Sequence, residues 1–72
     1  MRKKAGRNRR RVAGYVVSAF AGQHDPAPIF RRTFREMRDA DAFRRECLAR
    51  IGRGEPGAGA VVRSDYLWEE IG

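Results

Sequence analysis

The chain has 72 residues, with sixteen Lys or Arg against nine Asp or Glu and a net charge of +7. A chain this short holds one domain and a small core, since only about 60% of its unfolded surface can be buried. One cysteine, Cys47, and one histidine, His24, exclude an internal disulfide framework and a multi-thiolate metal site, and leave few catalytic arrangements open.

Residues 1–11 carry seven cations, Arg2, Lys3, Lys4, Arg7, Arg9, Arg10 and Arg11, and no acid. Residues 12–72 carry nine arginines and nine acids and sum to zero, so the whole net charge belongs to the first eleven residues. With no apolar anchor, this segment is expected to be a disordered arm, and its density of cations points to a polyanion. Lacking aromatics, it suggests contact with a nucleic-acid backbone without base reading. Basic residues 1–11, the apolar stretch that follows and Ala19-Phe20-Ala21 also imitate a secretory leader. Against that, the apolar stretch lacks Leu and Ile and contains Gly14, Tyr15 and Ser18.

Residues 12–20, VAGYVVSAF, are β-branched and aromatic without charge or proline, and predict a strand. Simple alternation puts Val12, Val16 and Phe20 on one face and Tyr15 and Val17 on the other. Neither face is polar, so the strand is expected to be covered on both sides.

Gly22 to Pro28 reads as a turn leading into a helix, with Asp25 as its cap and Pro26 and Pro28 in the first turn. His24 beside Asp25 has the form of a base and its orienting carboxylate, but no nucleophile stands in a recognisable relation to them. From about residue 28 to 51 the pattern is helical: Ile29, Phe30, Phe34, Met37, Ala40, Phe43, Cys47, Leu48 and Ile51 share half of the wheel. The expectation is one long amphipathic helix, with a kink allowed near Asp39. Arg31, Arg35, Arg38 and Arg45 fall on its opposite half and form a second candidate phosphate surface, diluted by Asp39 and Glu46. Arg44 points into the apolar half, where Asp41 is placed to pair with it. Gly52 is the expected end of the helix, and buried Cys47 a core residue.

The glycine-rich stretch 52–59 reads as a connection, since it lacks the Lys-Ser/Thr ending of a phosphate loop. A second strand is predicted over about 60–66, continuing beyond or giving way to a short helix. Tyr66 and Trp68, close to Asp65, Glu69 and Glu70, form a candidate protein-binding edge.

The resulting expectation is an α+β fold: residues 1–11 an arm, residues 12–72 one domain with a small sheet and one helix, completed by a second copy as a homodimer. The expected function is that of a non-enzymatic accessory protein of the cytoplasm, docking on nucleic acid or nucleoprotein without sequence preference. Arg7, Arg9, Arg10 and Arg11 are its main contacts, and the body makes protein contacts. No cofactor, metal or membrane is implied. The alternative is a small protein inhibitor or adaptor, of the kind phages encode against host defences, binding its target through the helix and the Tyr66–Trp68 edge.

Overall fold

A computed structural model describes residues 9–71. Its elements are β1 (Arg10–Phe20), β2 (Phe30–Phe34), α1 (Met37–Gly52) and β3 (Val61–Glu70). The three strands form one antiparallel sheet in the order β2-β1-β3, so β1 is central and α1 carries the chain from one edge to the other. The architecture is α+β. The arm expected over residues 1–11 falls partly outside the described residues, and at its near end Arg10 and Arg11 belong to β1.

The main difference from the sequence reading lies at residues 28–36. The long helix does not exist: its first third is the turn into β2, the strand itself and the link to α1, which begins at Met37 behind Glu36. Phe30 and Phe34 are four residues apart, a spacing that satisfies both a helical face and one face of a strand. Arg32, between them, is on that same face and sets its guanidinium 5.2 Å from the centre of the Phe43 ring. Asp25, Pro26 and Pro28 accordingly shape the β1–β2 connection and cap no helix. It is closed by the Asp25 amide donating to the Gly22 carbonyl (3.3 Å) and the Ile29 amide to Ala19 (2.7 Å). No kink arises at Asp39, which lies in the first turn of α1, where its charge suits the amide end of the helix.

α1 ends at Gly52, and the left-handed position that closes it lies two residues further on. Gly54 (φ +71°) holds the left-handed position, its amide donating to the Ile51 carbonyl while that of Glu55 donates to Arg50. This pair of bonds satisfies two carbonyls left open at the helix end. The connection then turns through Gly57 and Gly59 into β3, which runs to Glu70 as strand with no terminal helix.

The core is thin and made of small side chains. Val17 and Ala19 of β1 are fully buried, and Ala40 and Cys47 of α1 and Ala58 of the connection complete it, with Val16 on the other side of the sheet. Alanines at 19, 40 and 58 allow elements to approach closely, while Phe43 meets Phe30 and Phe34 at ring separations of 5.9 and 5.4 Å. Met37, expected in the middle of the apolar face, is instead 50% exposed at the start of α1, and Leu48 is exposed as well.

Ladder pairing shows why alternation misplaces one residue. Between Val12 and Gly14 the register with β3 slips, so Ala13 is an extra residue and a β-bulge. Val12, opposite Trp68, therefore shares the helix-bearing face with Tyr15 and Val17, while Val16 and Phe20 lie on the other. Gly14 sits where β2 ends, and a Cβ on it would lie 2.6 Å from the Phe34 carbonyl oxygen, so no larger residue fits without backbone movement.

Candidate nucleic-acid interface

β2 pairs only with Tyr15–Ala19 of β1. Below that point β1 and β3 continue as a two-stranded ribbon, Arg10–Gly14 against Leu67–Glu70. The positive N-terminal run thus enters the fold at the end of this ribbon, with the Ile71 amide donating to the Arg9 carbonyl (3.1 Å).

Alternation separates the two arginines that begin β1. Arg10 is on the helix-bearing side, its guanidinium 5.2 Å from the centre of the Trp68 ring. Arg11 is on the opposite side, in an ion pair with Glu69. Arg7 lies outside the described residues, and Arg9 immediately precedes the strand.

The four arginines expected on one helix face are dispersed. Arg31 is in β2, Arg35 in the link after it, and Arg38 and Arg45 in α1, so they form no single surface. Arg31 instead faces Ser18 on the sheet face away from the helix, with Arg63 on the other side of the same serine. Arg63 was not among the candidates. It stacks on Phe20 at 5.0 Å and donates to the Gln23 carbonyl at 3.1 Å, which fixes its guanidinium. Its signal was visible only through pairing, because nothing in the local sequence relates residue 63 to residue 31.

The remaining arginines serve α1. Arg50 reaches Glu46 at 3.2 Å and Glu55 at 3.7 Å, and Arg53 reaches Glu55 at 3.3 Å. Arg44 makes no ion pair with Asp41 among the described residues.

Tyr66 and Trp68 are together on β3, 51% and 48% exposed, on the helix-bearing side. Tyr15, opposite Tyr66, extends them into a row of three rings, with edge-to-face separations of 5.9 and 5.7 Å. Val12 is exposed beside them. The row therefore runs from the edge of the helix to the point where the basic segment enters.

His24 is exposed in the β1–β2 connection. Among the described residues no three His, Cys, Asp or Glu side chains gather where they would hold a metal ion. Burial pushes the Cys47 thiol above its ordinary pKa; Glu46 adds to the rise and Arg50 opposes it. No helix among the described residues is long and apolar enough to cross a membrane. Comparison of the chain with protein families, curated proteins and solved structures found no significant match to any of them.

Proposed function

We propose that this protein docks on nucleic acid or nucleoprotein through its N-terminal cations and performs no catalysis of its own. The supporting observation is the junction at Arg9–Arg11. A run of seven cations leads directly into the central strand, whose first two arginines are held on opposite sides of a ribbon. Flexible cations lose affinity to ordering, whereas arginines fixed by a ladder and by Trp68 and Glu69 are ordered before the ligand arrives. Arg31 and Arg63 stand further along the helix-free face, beyond Asp65.

Contacts of this kind release condensed counterions. About five phosphate contacts give a log–log salt slope near −4 to −5 on duplex, with little sequence preference. Fluorescence anisotropy with random-sequence duplex across salt concentrations measures it. Replacing Arg7, Arg9, Arg10 and Arg11 together by Ala should remove most of the affinity and flatten the slope. Absence of binding at low salt, or undiminished binding by that variant, would overturn the reading.

A second reading is favoured by the exposure of Val12, Tyr66, Leu67 and Trp68 at one end of the molecule. It makes the chain a small inhibitor or adaptor whose aromatic edge seats on a protein. An apolar interface of that kind holds its affinity as salt rises, which separates the two.

A further inference from the structure

The exposed rings raise a question that backbone binding leaves unanswered. A domain whose core is built largely from alanine and valine leaves its only tryptophan half in water. Tyr15, Tyr66 and Trp68 form a continuous row along β1 and β3, and Arg10 at its end lies over the indole. Of the acids on the ribbon, Glu69 is paired with Arg11, and Glu70, opposite Arg10 in the ladder, makes no ion pair among the described residues. Arg9, Arg10 and Arg11, the described part of the basic run, lie at this end.

We infer that the row Tyr66–Trp68, with Arg10, is a stacking surface for the bases of a single-stranded nucleic acid whose phosphates are held by the N-terminal cations. This deepens the proposed function and rests on it. The occupant follows from two features that must be satisfied together. The rings present π faces and edges that any unpaired base can meet, and the adjoining cations require a polyanion. A duplex satisfies only the second, because its bases are stacked on each other. An apolar protein surface satisfies only the first, and would leave the cations beside it unmatched. The guanidinium over Trp68 adds a planar cation on which a base can also stack.

Trp68 is its own reporter, since no other tryptophan contributes to the emission. Full-length protein is titrated with oligodeoxythymidine about 15 nucleotides long, with duplex of equal length, and with heparin as a polyanion lacking bases. Oligodeoxythymidine should quench the Trp68 emission strongly, and heparin should leave it nearly unchanged. Trp68→Ala should weaken single-strand binding by about tenfold or more and heparin binding far less, heparin losing only the ordering of Arg10, and Trp68→Phe should retain most of the single-strand affinity. If Trp68→Ala does not fold, the quenching of the unaltered chain and the behaviour of Trp68→Phe decide the matter. Equal quenching by heparin, or single-strand affinity unchanged in Trp68→Ala, would overturn the stacking surface while leaving backbone docking intact. Failure to bind any nucleic acid at low salt would overturn both.

Discussion

Met37 and Cys47 are on the same helix and in the same apolar pattern, yet only Cys47 is enclosed. The residue that fixes the helix to the sheet is Phe43, wedged between Phe30 and Phe34. Phe43→Ala should therefore cost about 2–4 kcal/mol in urea unfolding, and Met37→Ala less than about 1 kcal/mol. Equal costs would show that the helix start is packed more tightly than its exposure implies. Cys47 gives a second handle. Its folded thiol holds its proton more tightly than the unfolded one, because burial disfavours the thiolate. Its contribution to stability is complete below the unfolded pKa, about 8.5, and declines as pH rises from there through the folded value. Cys47→Ala should lose this alkaline decline, as thermal melts across that range would record. Glycines divide in the same way: Gly14→Ala drives a methyl against the Phe34 carbonyl, whereas Gly52 has open space around it.

At the level of elements, β1 unites the fold. Its Tyr15–Ala19 segment is bonded on both sides, and the ribbon segment Arg10–Val12 on one only. Amide hydrogen exchange should accordingly be slowest within residues 15–19 and distinctly faster at residues 10–12 and 68–70. Uniform protection along β1 would contradict this hierarchy. The sequence made β1 legible, because nine uncharged residues rich in valine and aromatics have one good conformation. It also exposed the helical half of the pattern from Met37 onward. It hid β2, since Phe30 and Phe34 fit either period and their phase continues into that of α1. Losing β2 also dispersed the expected arginine face, because residues a helix would align were divided among a strand, a link and a helix. The pairing of Arg31 with Arg63 across Ser18, and of Tyr15 with Tyr66, depends on contacts between distant segments that no local pattern encodes. Tyr66 and Trp68 were readable as a candidate binding edge, but their row with Tyr15 and Arg10 was not.

For the whole molecule, the third strand supplied by the chain itself changes what a second copy would be needed for: the sheet has three strands without one. Folding and docking should be separable by truncation. A chain begun at Arg9 keeps every described element and should melt within a few degrees of full length, with a shallower salt slope but with the share of polyanion affinity that Arg9, Arg10 and Arg11 supply. A chain begun at Val12 also loses Arg10 over Trp68 and the Arg11–Glu69 pair. These exposed contacts together are worth about 1 kcal/mol, a drop of about 4–8 °C in Tm for a domain this size. Calorimetry of the two truncated chains would test both statements. The bulge at Ala13 carries a further consequence. It gives the central strand one residue of slack, so the aim of the N-terminal segment is counted from position 13 and not from the domain's middle. Excising Ala13 would restore a regular ladder while every neighbour kept its side of the ribbon, Arg10 still over the indole. Excising any one residue between Tyr15 and Ala19 would shift the frame and turn the valines of the core outward. The molecule thus has one place where its length is negotiable, and that place lies between the part that folds and the part that reaches.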